Sequence, residues 1–165
     1  MDSERLLLEL EKQHRASFGW ALACTGRDRR EAEDVLQTSY LKVLDGRARF
    51  GGASSAKTWF FGVIRRTAQE RRRRFWFARL VPDSHAEPSL EADPGVELDE
   101  RQEAARLVAA LGKLAVRQRE VLELVFYHDM SIAEAAETLG LKVGTARTHY
   151  ERGKRGLRKA LEGSC

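Results

Sequence analysis

The fold is decided by one stretch, Ser131-Ile-Ala-Glu-Ala-Ala-Glu-Thr-Leu-Gly140-Leu-Lys-Val-Gly-Thr-Ala-Arg147-Thr-His-Tyr-Glu-Arg152-Gly-Lys-Arg155, in which two helical patterns flank a glycine. Ser131 followed by Glu134 is a capping box: hydroxyl and carboxylate each satisfy a backbone donor left over at a helix start. Ile132, Ala135, Ala136 and Leu139 then recur at helical spacing, which predicts a helix over 132–139 that Gly140 stops in the left-handed conformation. Beyond the turn, Leu141 and Val143 are expected to look inward. Ala146, Tyr150, Gly153, Leu157 and Leu161 continue an inner stripe at steps of three and four. The opposite face holds Thr145, Arg147, Thr148, Glu151, Arg152 and Arg155, with Lys142 just ahead of it. This is a helix-turn-helix pattern, with small polar groups at the start of the second helix for base edges and cations for phosphates. The plain alternative is a helical hairpin with a solvated basic face.

Working outward, composition sets limits. The chain has 165 residues, 42% of them hydrophobic, enough for one modest core or two small ones. A net charge of +4 is moderate, so its placement matters more than its size. No apolar run approaches the length of a membrane span, and Met1-Asp-Ser-Glu-Arg is not a secretory signal, so a cytoplasmic protein with no membrane insertion is expected. Cys24 reads as core and Cys165 as a dispensable thiol, without the paired spacing of a zinc site or a disulfide framework. His14, His85, His128 and His149 lack metal-ligand spacing. With no phosphate loop and no nucleophile motif, neither an enzyme nor a bound cofactor is expected.

The chain also divides itself. Pro82, Pro88 and Pro94 are its only prolines, and residues 82–103 hold eight acidic groups against the single Arg101. Such a stretch is too polar and too interrupted to bury a core. The proline-free segments on either side lack strand alternation. The expected fold is all-α: two small helical domains, 1–80 and 104–165, joined by an acidic, proline-containing linker at 81–103, the second domain carrying the helix-turn-helix.

Two helices stand out in the first domain. From Arg30 to Leu44, the residues Ala32, Val35, Leu36, Ser39, Tyr40 and Val43 form an inner stripe, and Glu33, Asp34, Gln37, Thr38, Leu41 and Lys42 the opposite face. Leu41 is the odd member, an apolar side chain on a polar face. After a small, flexible stretch from Arg47 to Lys57, a helix from Thr58 to Arg74 is expected to bury Trp59, Phe60, Val63, Ile64 and Thr67. Phe61, Arg65, Arg66, Gln69, Arg72 and Arg73 are expected to face elsewhere. Residues 65–79 contain seven arginines and one acid, Glu70. Arginines interleaved with an aromatic suit single-stranded nucleic acid, whose bases stack while its phosphates pair with charge.

In order along the chain, Glu31-Ala-Glu-Asp34-Val-Leu-Gln37-Thr-Ser-Tyr-Leu41-Lys-Val, Thr58-Trp59-Phe-Phe, Arg117-Gln-Arg-Glu120-Val-Leu and the helix-turn-helix resemble an extracytoplasmic-function (ECF) sigma factor of bacterial RNA polymerase. The resemblance implies that core RNA polymerase and promoter DNA are the partners. Asp34, Gln37, Thr38 and Leu41 would meet core polymerase. Gly52, Ala53, Ser54, Ser55, Lys57, Phe61, Arg65, Arg66 and Gln69 would capture the unpaired minus-10 element. Lys142, Thr145, Arg147, Thr148, Glu151, Arg152 and Arg155 would bind the minus-35 duplex. The acidic linker would thread into a basic cavity of the polymerase, and an anti-sigma protein would mask the polymerase-binding faces. The chain departs from the family pattern where Arg66 stands for an asparagine, Gly62 for a basic residue and Ala115-Val116 for a proline. Tyr150 stands where an aliphatic residue is common, and Gly153 and Gly156 are expected to let the last helix fray. A stand-alone helix-turn-helix regulator, acting without polymerase, would account for residues 117–161 but not for the arginine face at 61–74.

Overall fold

The computed structural model describes residues 2–77 and 97–163, and the regular elements among them are helices. They cluster into two units, one from each half of the chain, except that Glu137–Gly140 cluster with the first. The three prolines, Arg79, His85 and most of the acidic stretch lie outside the described residues, as does Cys165.

The first unit is built from α1 (Ser3–Lys12), α2 (His14–Cys24), α3 (Arg29–Leu44) and α4 (Ala56–Phe77). Leu6 and Leu10, one turn apart, carry α1 into the core, and Ser17, Trp20 and Ala21 do so for α2. Cys24, expected in the core, is only half-buried. The turn into α3 needs two successive left-handed residues, Gly26 and Arg27. The Asp28 carboxylate then accepts the Glu31 N–H at 3.2 Å and caps the helix. Ala32, Val35, Leu36 and Ser39 are buried on α3, as their spacing predicts.

The central element is α4, which packs against α1, α2 and α3 together. From Thr58 to Ala68 only Trp59 and Arg66 escape burial. A helix enclosed on several sides is apolar nearly all round rather than along one stripe. Phe60 and Phe61 therefore both enter the core, Phe60 against Tyr40 (5.0 Å between ring centroids) and Phe61 against Trp20 (5.9 Å, planes within 4°). The Trp20 indole N–H donates to the Phe61 carbonyl at 3.0 Å, so the largest core side chain has no unsatisfied donor. Each of these rings contributes roughly 2–3 kcal/mol by burial.

The C-terminal half contains α5 (Leu98–Gly112), α6 (Val116–Leu122), a π-helical turn (Glu123–Tyr127), α7 (Ile132–Leu139) and α8 (Val143–Glu162), all in the second unit apart from the end of α7. The helix begins at Leu98, inside the stretch expected to remain linker as far as 103. Past Pro94 nothing breaks a helix, and Asp99 and Glu100 in its first turn face the positive end of the helix dipole. In the π turn the His128 N–H reaches back five residues to the Glu123 carbonyl at 3.2 Å. Val121, Leu122 and Leu124 stay buried while Phe126 and Tyr127 swing outward. The capping box forms in both directions: Ser131 N–H to Glu134 Oε2 at 2.8 Å, and Glu134 N–H to Ser131 Oγ at 3.1 Å. Gly140 has φ +66°, as the turn requires.

Two expectations about the last helix fail. Val143 does not look inward; it occupies the first turn of α8 and is exposed. Nor does the helix fray, since α8 runs unbroken to Glu162. Gly153 and Gly156 let α8 approach its neighbours: a Cβ at 153 would lie 3.1 Å from Leu122 Cδ1, and one at 156 would lie 2.8 Å from Leu114 Cδ2.

Candidate nucleic-acid interface

On α8, Ala146 and Gly153 face inward, and Thr145, Arg147, Thr148, Glu151, Arg152 and Arg155 are all exposed, with Lys142 at the N-cap position. The Thr148 hydroxyl donates to the Gly144 carbonyl at 3.1 Å. Lys154 sits 4.5 Å from the Tyr150 ring centroid and 3.4 Å from Glu151 Oε2, so one lysine steadies two neighbours. Tyr150 in turn stacks on Phe126 at 5.8 Å. The structure thus gathers all seven residues read from sequence around one exposed helix face, behind a capped α7 and a glycine turn.

On the first unit the picture is mixed. Gly52 adopts φ +78°, and Gly52, Ala53 and Ser55 are exposed, with Ser54 half-buried. Ser55 caps α4: its Oγ accepts the Thr58 N–H at 3.1 Å. Lys57 lies over the edge of the core, 5.7 Å from the Phe61 ring centroid. Arg66 is exposed and Gln69 half-exposed. Phe61 is a correction: it is fully buried on Trp20, so no base can stack on it. Arg65, one turn further along that side of α4, is buried too, at 9% exposure, and is not offered to a ligand as expected.

The aromatic that borders open space is instead Trp59. Packed on Phe50 at 5.3 Å, it lines a cavity of about 420 Å³ with Arg47, Arg49, Arg66, Lys42 and Glu70. The rim is held in place locally. Asp45 binds the Arg47 side chain at 2.7 Å and its N–H at 3.0 Å, and the latter bond holds the Asp45 carboxyl below the usual carboxylate range. The Ala48 N–H donates to the Lys42 carbonyl at 2.8 Å. Lys42, expected on the outer face of α3, reaches across to α4 and donates to Thr67 Oγ1 at 2.9 Å and Glu70 Oε2 at 2.6 Å. The sequence signal for this was available in principle, since Glu70 is the one acid among the arginines.

On α3, Gln37 and Leu41 line a groove shared with His14, Phe18, Tyr40 and Leu44. Leu41 is 50% exposed and Leu44, three residues on, 61%, giving an apolar edge that sequence reasoning saw only in part. Tyr40 Oη lies 3.0 Å from His14 Nδ1, and burial, helped by Glu11, pushes the phenol pKa up, so it stays neutral. Asp34 lies away from the groove and is held by Arg71 at 3.4 Å, together with Glu31 at 3.2 Å. Thr38 is half-buried.

Residues 10–77 match the Sigma-70 region 2 family and residues 104–157 match Sigma-70, region 4. The ECF RNA polymerase sigma factor SigX of Bacillus subtilis is 32% identical over 149 residues, which cover 82% of this chain and 73% of SigX. The chain belongs to the ECF sigma factors. SigL of Mycobacterium tuberculosis, another ECF sigma factor, is 28% identical over 159 residues, 95% of this chain and 89% of SigL. The same fold is seen in the sigma factor RpoE of Bartonella quintana, solved with the anti-sigma factor NepR (TM-score 0.78, 23% identity, 98% of this chain and 99% of that one). It is also seen in CnrH, solved with the cytosolic domain of CnrY (TM-score 0.69, 22% identity, 98% and 91%). As an ECF sigma factor this protein directs RNA polymerase to promoters in transcription initiation, and among its described residues no helix is long and apolar enough to cross a membrane.

Proposed function

We propose that this sigma factor divides promoter recognition between its two units. The unit around α8 reads the minus-35 element as duplex: Thr145, Arg147, Thr148 and Glu151 approach base edges, and Lys142, Arg152 and Arg155 pair with phosphates. The unit around α4 captures the unpaired minus-10 strand with the loop from Gly52 to Ser55, Lys57, Arg66 and Gln69. Core polymerase docks on the α3 face that carries Asp34, Gln37, Thr38 and Leu41. The observation that carries this reading is the presence of two separate exposed basic faces, one on a helix-turn-helix and one beside an aromatic-lined cavity.

The mechanism is physical. The protein catalyses nothing itself; polymerase makes the phosphodiester bonds inside the cytoplasm. Contacts to unstacked bases offset the few kcal/mol lost on opening each step of the duplex. Two weak contacts tethered through one polymerase gain effective concentration, so neither unit must bind tightly alone. The half-exposed apolar edge at Leu41 and Leu44 suits a second occupant, an anti-sigma protein that competes with polymerase. The test is a gel shift on promoter duplex: weak binding by the free chain, and tight, sequence-dependent binding once core polymerase is added. Tight specific binding by the free chain would instead indicate a stand-alone regulator.

A further inference from the structure

Glu70 is the only acid among the described residues that line the cavity beside Trp59, where it stands with Lys42, Arg47, Arg49 and Arg66. A carboxylate is out of place on a surface that attracts a polyanion. Trp59, Val63, Arg66 and Glu70 follow one another at steps of four, three and four, so the acid shares the side of α4 that carries the aromatic wall. Arg66, one turn earlier, is the ion-pair partner that helical spacing offers it. The structure pairs it with Lys42 of α3 instead, at 2.6 Å, and leaves Arg66 with no carboxylate within ion-pair distance among the described residues.

Lys42 is fixed by more than this one bond. Its ammonium also donates to Thr67 Oγ1 at 2.9 Å, and that hydroxyl gives its own proton to the Val63 carbonyl at 2.8 Å. The lysine side chain is 14% exposed and the Glu70 side chain 52%. The lysine is therefore shielded and cannot swing out to a phosphate without breaking two hydrogen bonds. The acid is the more open member of the pair, and its other oxygen, Oε1, makes no hydrogen bond among the described residues.

This arrangement separates the two parts of a nucleotide. A phosphate entering the cavity meets the Arg49 and Arg66 cations but also an open carboxylate oxygen, and like charges at contact distance repel. A base is uncharged, stacks against the Trp59 indole and offers N–H groups that a carboxylate oxygen accepts.

We propose that Glu70, held by Lys42, is a specificity-determining residue that keeps the sugar–phosphate backbone out of the Trp59 cavity and reserves the cavity for an unpaired base. The inference rests on the minus-10 reading of α4. Without the acid, the cations of the rim would hold any strand by its backbone. Lys42 neutralises the carboxylate enough for the rim as a whole to go on attracting DNA.

The experiment uses full-length protein assembled with core polymerase and fork probes whose unpaired strand carries the minus-10 element, either intact or with one abasic sugar placed at each unpaired position in turn. The parent is expected to lose about ten-fold in affinity at one position, the one whose base occupies the cavity. Glu70→Gln, which keeps an oxygen for Lys42, should bind that abasic probe more tightly than the parent does and reduce the preference to about two-fold. Its slope of log K against log salt on the abasic probe should steepen by about 0.7, the value of one added phosphate contact on a single strand. Lys42→Met leaves the carboxylate uncompensated and should weaken binding to every probe about five-fold, and combining it with Glu70→Gln should recover that loss. Thermal melting accompanies each variant; should Lys42→Met melt early, the Glu70→Gln measurements decide the matter by themselves.

Equal effects of Glu70→Gln on intact and abasic probes, or none on either, would overturn the proposal. So would a loss on the intact probe with the abasic one unchanged, since Glu70 would then read a base N–H rather than repel a phosphate. A well-folded double variant that stays as weak as Lys42→Met would make Lys42 itself the phosphate contact and overturn it too. If the parent holoenzyme is insensitive to every abasic position, the reading of α4 on which this rests is what fails, and the proposal with it.

Discussion

Gly153 of α8 lies so close to Leu122 of α6 that a Cβ on the glycine would sit 3.1 Å from the leucine Cδ1 and 3.2 Å from its Cγ, with the Gln118 carbonyl oxygen at 3.3 Å. Leu122 is buried and the carbonyl is backbone, so neither can move away cheaply. Gly153→Ala should therefore lose about 1 kcal/mol of stability, despite alanine's better helix propensity. At Gly156 the only obstacle is the far end of the half-buried Leu114 side chain. Gly156→Ala should gain roughly 0.5 kcal/mol from propensity. Thermal melting of the two single variants checks the pair, and equal losses would show that α8 does not press on α6 as described.

Phe61 separates a core role from a DNA role. Enclosed against Trp20 with no exposed surface, Phe61→Ala should cost about 3–5 kcal/mol of stability, measured by chemical denaturation. Were Phe61 instead a base-stacking residue, the variant would melt normally and fail only in promoter opening. Trp59→Ala, at the half-buried cavity wall, should show the opposite balance: a smaller loss of stability and a larger loss of minus-10 binding.

The docking surface proposed for core polymerase can be tested without disturbing the core. Because Leu41 is 50% exposed, Leu41→Asp should leave the melting temperature within a degree or two and reduce affinity for core polymerase at least ten-fold. Unchanged affinity in a pull-down or fluorescence titration would place the docking surface elsewhere.

Along α8 the two halves of the exposed face should behave differently. Arg147→Ala should weaken promoter binding by about 1–3 kcal/mol at one minus-35 position and relax specificity there. Arg155→Ala should weaken binding evenly across sequences and reduce the salt slope by about one. Binding of the holoenzyme to a minus-35 library at several salt concentrations distinguishes the two.

Legibility in the sequence followed how local each determinant was. The Ser131–Glu134 box, the Gly140 turn and the outward face of α8 each depend on residues close together within one short stretch of chain, and all appear as read. Phe61 and Arg65 are buried against expectation because a single-stripe reading assumes one buried side, whereas α4 is covered by α1, α2 and α3. Nothing within α4 announces that enclosure; it is a property of the three helices around it. Gly153 and Gly156 read as weak points in the sequence for a related reason, since propensity is local and the partners that require a missing Cβ, Leu122 and Leu114, are distant in sequence. The crossing of Lys42 to Glu70 likewise appears only when α3 and α4 are laid side by side.

The central claim, that this chain places RNA polymerase at promoters through two separate DNA contacts, is tested most directly by run-off transcription with purified core polymerase and full-length protein on templates with intact or scrambled minus-35 and minus-10 elements. The account predicts transcripts from a defined start that require the added protein and fall sharply when either element is scrambled or when Arg147 or Arg66 is replaced by alanine. Transcription that is indifferent to the protein, or that survives scrambling of the minus-10 element, would contradict it.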